Sequence, residues 1–248
     1  ELYLCSPLGM VSSVLYGTIQ SALFTMLAVY AAEMNFSIFD ISLVTFLLAI
    51  SGAVSQYPIG YISDKLDRRT VIIYSTFGAA LFAFLAIFSV GTMYLPEGLG
   101  SSKLWFYVFL VCFSFCSLPM FSLILAHTND FITRDKFVSA GAALQFSFGL
   151  GAISGPFLCS LIMGIFGNNG FFIFLIFFHC IIGFFGIYRM KVRPAEDNPD
   201  SQFVPMPQTI TPVGMELNPV AEHIDEPYSE KVEKMLERKG VIIKKKSK

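Results

Sequence analysis

The chain has 248 residues and a formal net charge of −1; it is 54% hydrophobic and only 14% charged. A soluble domain carries about a quarter charged residues, and here ten of the 18 acidic and ten of the 17 basic residues follow Met190. The 15 charges left to the first 190 residues cannot cover a water-facing surface, which excludes a soluble domain and places the chain in a lipid bilayer.

A membrane-spanning helix needs about 20 mainly apolar residues. Six segments qualify: Leu8–Ala31, Ile41–Ile62, Val71–Tyr94, Leu104–Ala126, Phe137–Phe166 and Phe171–Tyr188. They predict an all-α polytopic membrane bundle over residues 1–193, with short connections and no room for a folded domain between spans. The chain enters its first span within about eight residues of Glu1, with no basic stretch ahead of it. This argues against a signal peptide, and the chain reads as a fragment or as the second half of something larger.

In the first span Gly9, Ser13, Gly17, Ser21 and Thr25 recur every four residues, a flat strip for close helix packing. Gln20 lies near its middle, with Tyr16 and Phe24 one turn away on the same face. The second span carries Gln56 and runs into GYISDKLDRR, Gly60 to Arg69, in which five of ten side chains are charged. The third has few polar residues. In the fourth, Ser117, Met120 and Phe121 flank Pro119 near mid-depth, and His127, Asn129 and Asp130 follow where helix capping explains them. The fifth is long enough to tilt or to begin outside the hydrocarbon. It repeats Ser139, Ala143, Ser147, Gly151 and Gly155 every four residues, carries Gln145, and has Gly155-Pro156 as a predicted kink. The sixth is apolar around its circumference, as suits a peripheral helix, and holds His179, which reads as a packing residue.

Cys112, Cys116, Cys159 and Cys180 fall within apolar runs and read as small packing residues; no disulfide framework and no metal site is expected. Residues 194–248 change character. Pro194 to Pro227 holds seven of the twelve prolines and predicts an extended, solvated tail, largely disordered. Ser229 can cap a short helix over 229–239, and the terminal KKKSK is either a solvated end or a contact for anionic lipid.

Arginine and lysine favour the cytoplasmic side of a membrane. Lys65, Arg68, Arg69, Arg134, Lys136, Arg189, Lys191 and Arg193 fall on one side of the six spans, and only Lys103 on the other. This puts GYISDKLDRR and both termini in the cytoplasm, and Glu33, Asp40 and Glu97 outside.

The spacing Gly60-x-x-x-Asp64-Lys65-x-x-Arg68-Arg69, between the second and third spans, resembles the loop signature of the Major Facilitator Superfamily. Asp67 stands where that pattern has its second glycine, a replacement more usual in the second copy of the signature. The resemblance covers Leu8 to about Met190; PIGYISDKLDRR and LAHTND are further similar to the bacterial YcaD-type branch. It implies a twelve-helix fold built from 3+3 inverted repeats, of which this is the carboxy-terminal six-helix half. The implied partner is an amino-terminal six-helix half absent from this chain, in a bacterial inner membrane. It also implies that the first and fourth spans line a cavity for a small-molecule solute, that the sixth is peripheral, and that Gly155-Pro156 is similar to the kink of antiporter branches.

Cavity candidates are then Tyr16, Gln20, Phe24, Gln56, Ser117, Met120 and Gln145; for each glutamine an interhelical hydrogen bond is the plainer reading, and Gln20 is the strongest cavity candidate of the three. Gly60, Asp64, Lys65, Arg68 and Arg69 are the gating-loop candidates, with Asp64 positioned to accept N–H groups of a helix N-terminus. Gly151, Gly155 and Pro156 are the packing candidates. No phosphate-binding loop, clustered histidines or nucleophile motif is present, so neither ATP-driven transport nor a membrane enzyme is indicated. Nor is there a basic domain for nucleic acid. The expected activity is secondary transport of a small solute by alternating access, without a cofactor. Proton or ion coupling falls to the missing half or to Glu33, since no span holds a deep carboxylate. A non-transporting sensor or scaffold that signals through its tail is the alternative.

Overall fold

The computed structural model describes residues 5–92, 103–132 and 136–192, together with Phe203 and Pro205. Every regular element among them is helical. They are α1 (Pro7–Glu33), α2 (Ile38–Lys65), α3 (Arg68–Thr92), α4 (Lys103–Ser117), α5 (Met120–Asn129), α6 (Phe137–Phe166) and α7 (Gly170–Val192), with a 3₁₀ turn at Gly167–Asn169.

Five segments of this set are long and apolar enough to cross a membrane: α1, α2, Arg68–Ser89 of α3, Lys103–Asn129, and Phe137–Val192. The last contains both α6 and α7, divided where Gly167 takes φ 65°, a conformation open to glycine. Helices extend one to four residues beyond most of the expected spans, and at the starts of α1 and α2 polar side chains cap the extension. Ser6 accepts the Gly9 N–H at the start of α1, with Pro7 in the first turn. Ser37 and Asp40 form a reciprocal capping box on α2. The expected fourth span is not one helix. Pro119, which lacks an N–H, separates α4 from α5.

The helices associate in pairs. α1 lies along α6, α3 lies between α4 and α7, and α2 packs on α4. The α1–α6 contact brings backbone against backbone. A Cβ on Gly17 would stand 2.0 Å from the Phe148 carbonyl oxygen, and one on Gly151 only 1.9 Å from that of Val14. A Cβ on Gly155 would meet the Thr18 carbonyl oxygen at 2.3 Å. At this distance Thr18 donates to the Gly151 carbonyl and Ser13 to that of Leu144. α6 continues through Pro156, and α2 through Pro58.

The end of the bundle that carries Asp40 is filled by aromatic rings. Tyr30 stacks on Phe171 at 5.2 Å and meets Phe172 edge-on, and Phe106 packs against Tyr30, Phe36 and Phe172. Lys103 and Tyr107 both donate to Asp40, at 2.6 and 2.7 Å, which ties α4 to the start of α2. α2 turns Phe46, Ile50, Val54 and Tyr57 outward, and α6 turns out Phe146, Ile153 and Phe157, apolar surface that water does not favour.

Of the tail, Phe203 and Pro205 are described. The expected helix at 229–239 lies outside the described residues, as do Arg134 and Arg193.

Candidate functional site

Among the described residues, the candidate functional side chains fall in two places: the loop between α2 and α3, and the middle of the bundle.

The loop is built by the end of one helix and the start of the next. Asp67 caps α3, its carboxylate accepting the Arg69 N–H at 3.0 Å while its carbonyl accepts from Thr70. A glycine at 67 would lack that carboxylate, which gives the aspartate a local reason to be there. The same carboxylate takes the Arg69 guanidinium in a forked pair, with its shortest contact 2.7 Å. Burial pushes the Asp67 carboxyl up, but the bonds from the Arg69 side chain and N–H outweigh it and hold the group below the usual aspartate range.

Arg68 is 6% exposed and bridges two helix ends. Its Nη2 lies 2.9 Å from Asp64 Oδ1 at the end of α2, and its Nη1 is 3.6 Å from Asp130 just beyond α5. Lys65 folds back on Tyr61. The other oxygen-bound partner of Asp64 comes from far along the chain: the Phe203 N–H donates to Asp64 Oδ1 at 2.8 Å. The Phe203 ring covers Gly60, where a Cβ would stand 2.3 Å from the ring. The loop therefore joins α2, α3, the end of α5 and the tail. Asp130 and Phe203 have no local signal in the sequence that ties them to this loop. A small cleft beside it is lined by Ser6, Arg69, His127, Phe131 and Arg189, so the start of α1 and the ends of α5 and α7 share this end of the bundle.

In the middle, Tyr16 is fully buried, and its hydroxyl donates to the Leu118 carbonyl at the α4–α5 break. Its ring joins Phe148 of α6, and Phe148 meets Phe121 of α5 edge-on at 5.5 Å. Met120 lies in the same core, 0% exposed. Gln20 is buried, whereas Phe24 on the same helix is 47% exposed. Ser117 shares a 2.9 Å hydrogen bond with His179 Nε2 of α7. His179 Nδ1 lies 2.7 Å from the Leu175 carbonyl, which can only accept, so Nδ1 donates and Nε2 accepts from Ser117. The pair is fully enclosed, with Phe113 edge-on to the imidazole.

Gln56 and Gln145 differ from these. Each has a buried amide oxygen without a hydrogen-bond partner among the described residues. They sit on α2 and α6, the helices that turn large apolar side chains outward. Thus the structure brings Tyr16, Met120, Phe121 and Phe148 together and pairs Ser117 with His179, while Gln56 and Gln145 keep an unpartnered amide oxygen among the described residues.

The family model of the Major Facilitator Superfamily matches residues 9–234. Similar curated proteins include the uncharacterized MFS-type transporter YE1530 of Yersinia enterocolitica, 26% identical over 168 residues, which are 68% of this chain and 40% of that protein. The uncharacterized MFS-type transporter YfkF of Bacillus subtilis is 26% identical over 163 residues, 64% of this chain and 38% of its own length. That named YcaD in Escherichia fergusonii is 21% identical over 168 residues, with the same 68% and 40% shares. The matched region thus spans about two fifths of the length of these relatives.

Proposed function

The chain belongs to the Major Facilitator Superfamily and is an integral membrane protein, and from that premise we propose that it forms one six-helix half of a secondary transporter. The half moves a small solute by rocking against a second six-helix half around a site near the midplane. The observation that carries the reading is the family match across residues 9–234, which overlaps all five segments that are long and apolar enough to span among the described residues. The relatives YE1530, YfkF and YcaD are each named as MFS-type transporters, which supports transport as the activity.

In this reading α6 and α7 are separate spans, so that 1–193 is a six-span unit and 194–248 its tail. The excess of arginine and lysine beside α2–α3 and after α7 puts that end in the cytoplasm. The bacterial relatives favour the inner membrane. Gln20, Gln56 and Gln145, with Phe24, supply the polar and aromatic lining on helices that also expose apolar faces. Tyr16 and Ser117 contribute by holding the α4–α5 break and α7 in place. The Gly60–Arg69 loop, tied to α5 through Arg68, acts as the cytoplasmic gate, and coupling to a proton or ion uses a group outside these spans.

The test is flux. Proteoliposomes holding the complete protein are loaded with a mixture of small metabolites, and the external medium is followed by mass spectrometry. Selective, saturable loss of at least one solute class, absent from empty liposomes, is the expected result. Identical leakage from both would end the transporter reading and favour a sensor.

A further inference from the structure

Gly60 and Asp64 are one turn apart on α2, so they share a face of the helix. On that face they make a receptacle with two parts. Gly60 leaves a notch, because a Cβ there would lie 2.3 and 2.5 Å from the Phe203 ring carbons. Asp64, 36% exposed at its side chain, presents a charged acceptor immediately beyond the notch. Both parts are filled by one residue: the Phe203 ring takes the notch, and the Phe203 N–H lies 2.8 Å from Asp64 Oδ1. The ring also packs against the buried core of the bundle. Pro205, two residues on, is exposed.

From these contacts we infer that Phe203 docks as the tongue of an intramolecular strap, with the Gly60–Asp64 face of α2 as its buckle. The same Asp64 oxygen receives Arg68, which in turn approaches Asp130 beyond α5. The docked tail therefore joins the ion pairs that hold the α2–α3 loop to α5. While it is docked, the Gly60 notch is closed and the Asp64 oxygen is occupied. Any other backbone or helix end that engages this face must first displace Phe203. One charge-assisted hydrogen bond and one ring on a tail form a contact that opens locally without unfolding the bundle. The strap is thus a reversible control on the availability of Asp64. The docking stands whether or not the chain transports anything.

The experiment uses the full chain in lipid nanodiscs. Chymotrypsin cuts after phenylalanine, and cleavage at Phe203, followed by mass spectrometry, tracks the population of the undocked tail when opening is fast. Gly60→Leu fills the notch, and Asp64→Ala removes the acceptor. Asp64→Ala should raise the cleavage rate at Phe203 roughly ten- to a hundredfold, the loss that one charged hydrogen bond carries, and Gly60→Leu should raise it as well by excluding the ring. Rates equal to the parent in both variants overturn the strap. Since Gly60→Leu can disturb the bundle, a tail-only variant decides independently. Spin labels at Tyr57→Cys and Pro205→Cys, with the native cysteines replaced, should give one narrow distance in the parent. Adding Phe203→Gly should broaden it. A distribution equally narrow in both means that Phe203 holds nothing, and the inference falls.

Discussion

Replacing Gly151 by alanine adds one carbon at the tightest point between α1 and α6. That carbon would stand 1.9 Å from the Val14 carbonyl oxygen and 3.0 Å from the Thr18 nitrogen. Carbon–oxygen contacts settle at about 3.3–3.6 Å, so the helices must part by roughly 1.5 Å at this level. Neither obstacle is a side chain that can swing away; both belong to the backbone of a helix. The parting also stretches the bonds from Thr18 to the Gly151 carbonyl, 3.1 Å, and from Ser13 to the Leu144 carbonyl, 2.7 Å. Overpacking costs about 1–3 kcal/mol, and interhelical hydrogen bonds in membranes average about 0.6 kcal/mol each. The sum is about 2–4 kcal/mol.

Alanine is also a better helix former than glycine by up to about 1 kcal/mol, so a control must share that gain. Gly149, two residues away on the same helix, has nothing within 4 Å of its Cβ position. Gly149→Ala should be neutral or slightly stabilising. The assay is reversible unfolding in mixed detergent and lipid micelles, with both variants measured against the parent. A difference between Gly151→Ala and Gly149→Ala below about 0.5 kcal/mol, the scatter of inert surface changes, would refute the backbone contact of α1 with α6.

At the opposite end from the loop, Asp40→Ala removes the capping box of α2 together with the Tyr107 and Lys103 bonds, and should cost about 1–2 kcal/mol in the same assay. Lys103→Ala loses a half-exposed ion pair and an ammonium 5.0 Å from the Phe36 ring centre, both weak at an exposed site, and should stay within about 1 kcal/mol of the parent. Asp67 has its carboxyl held below the ordinary aspartate pKa of about 3.9. Its stabilisation is therefore complete above that pH and is lost as pH falls through the lower folded-state value. Acid unfolding of Asp67→Asn should be less pH-dependent in that window, and an unchanged acid limb would remove the Arg69 pair from the account. For orientation, membrane-impermeant maleimide applied to intact cells should label Asn35→Cys and not Leu66→Cys, both exposed positions, once native Cys5 has been replaced. The reverse pattern would invert the topology.

The helical character was legible because apolar runs and their ends have local causes. The apolar run 137–166 coincides with one helix, which ends where Gly167 takes φ 65°. The break at Leu118-Pro119 has no distinctive signal in the sequence. A proline also sits inside α2 and inside α6 without ending either helix, so proline alone does not locate a break. The four-residue ladders carried part of the α1–α6 contact. Each step of four advances about 40° around a helix of 3.6 residues per turn. The ladder beginning at exposed Ser139 therefore reaches the buried face only by Ser147, Gly151 and Gly155.

The partners of polar residues were the least legible part, because nothing local determines them. Asp64 was expected to look for N–H groups of a helix from another half. Here it meets an N–H of its own chain 139 residues away. Ser117 has its hydroxyl committed to His179, and Tyr16 has its own committed to Leu118. Side chains satisfied in this way gain little from a solute that would have to break those bonds first. Gln56 and Gln145 are in the opposite position. A buried polar atom left without a partner costs about 1–3 kcal/mol, and each of these glutamines keeps its amide oxygen in that state among the described residues. A ligand, a water or a facing helix that supplies a donor would recover that cost. Polar residues still owed a hydrogen bond therefore rank above those already paired as candidates for contact with whatever completes the bundle.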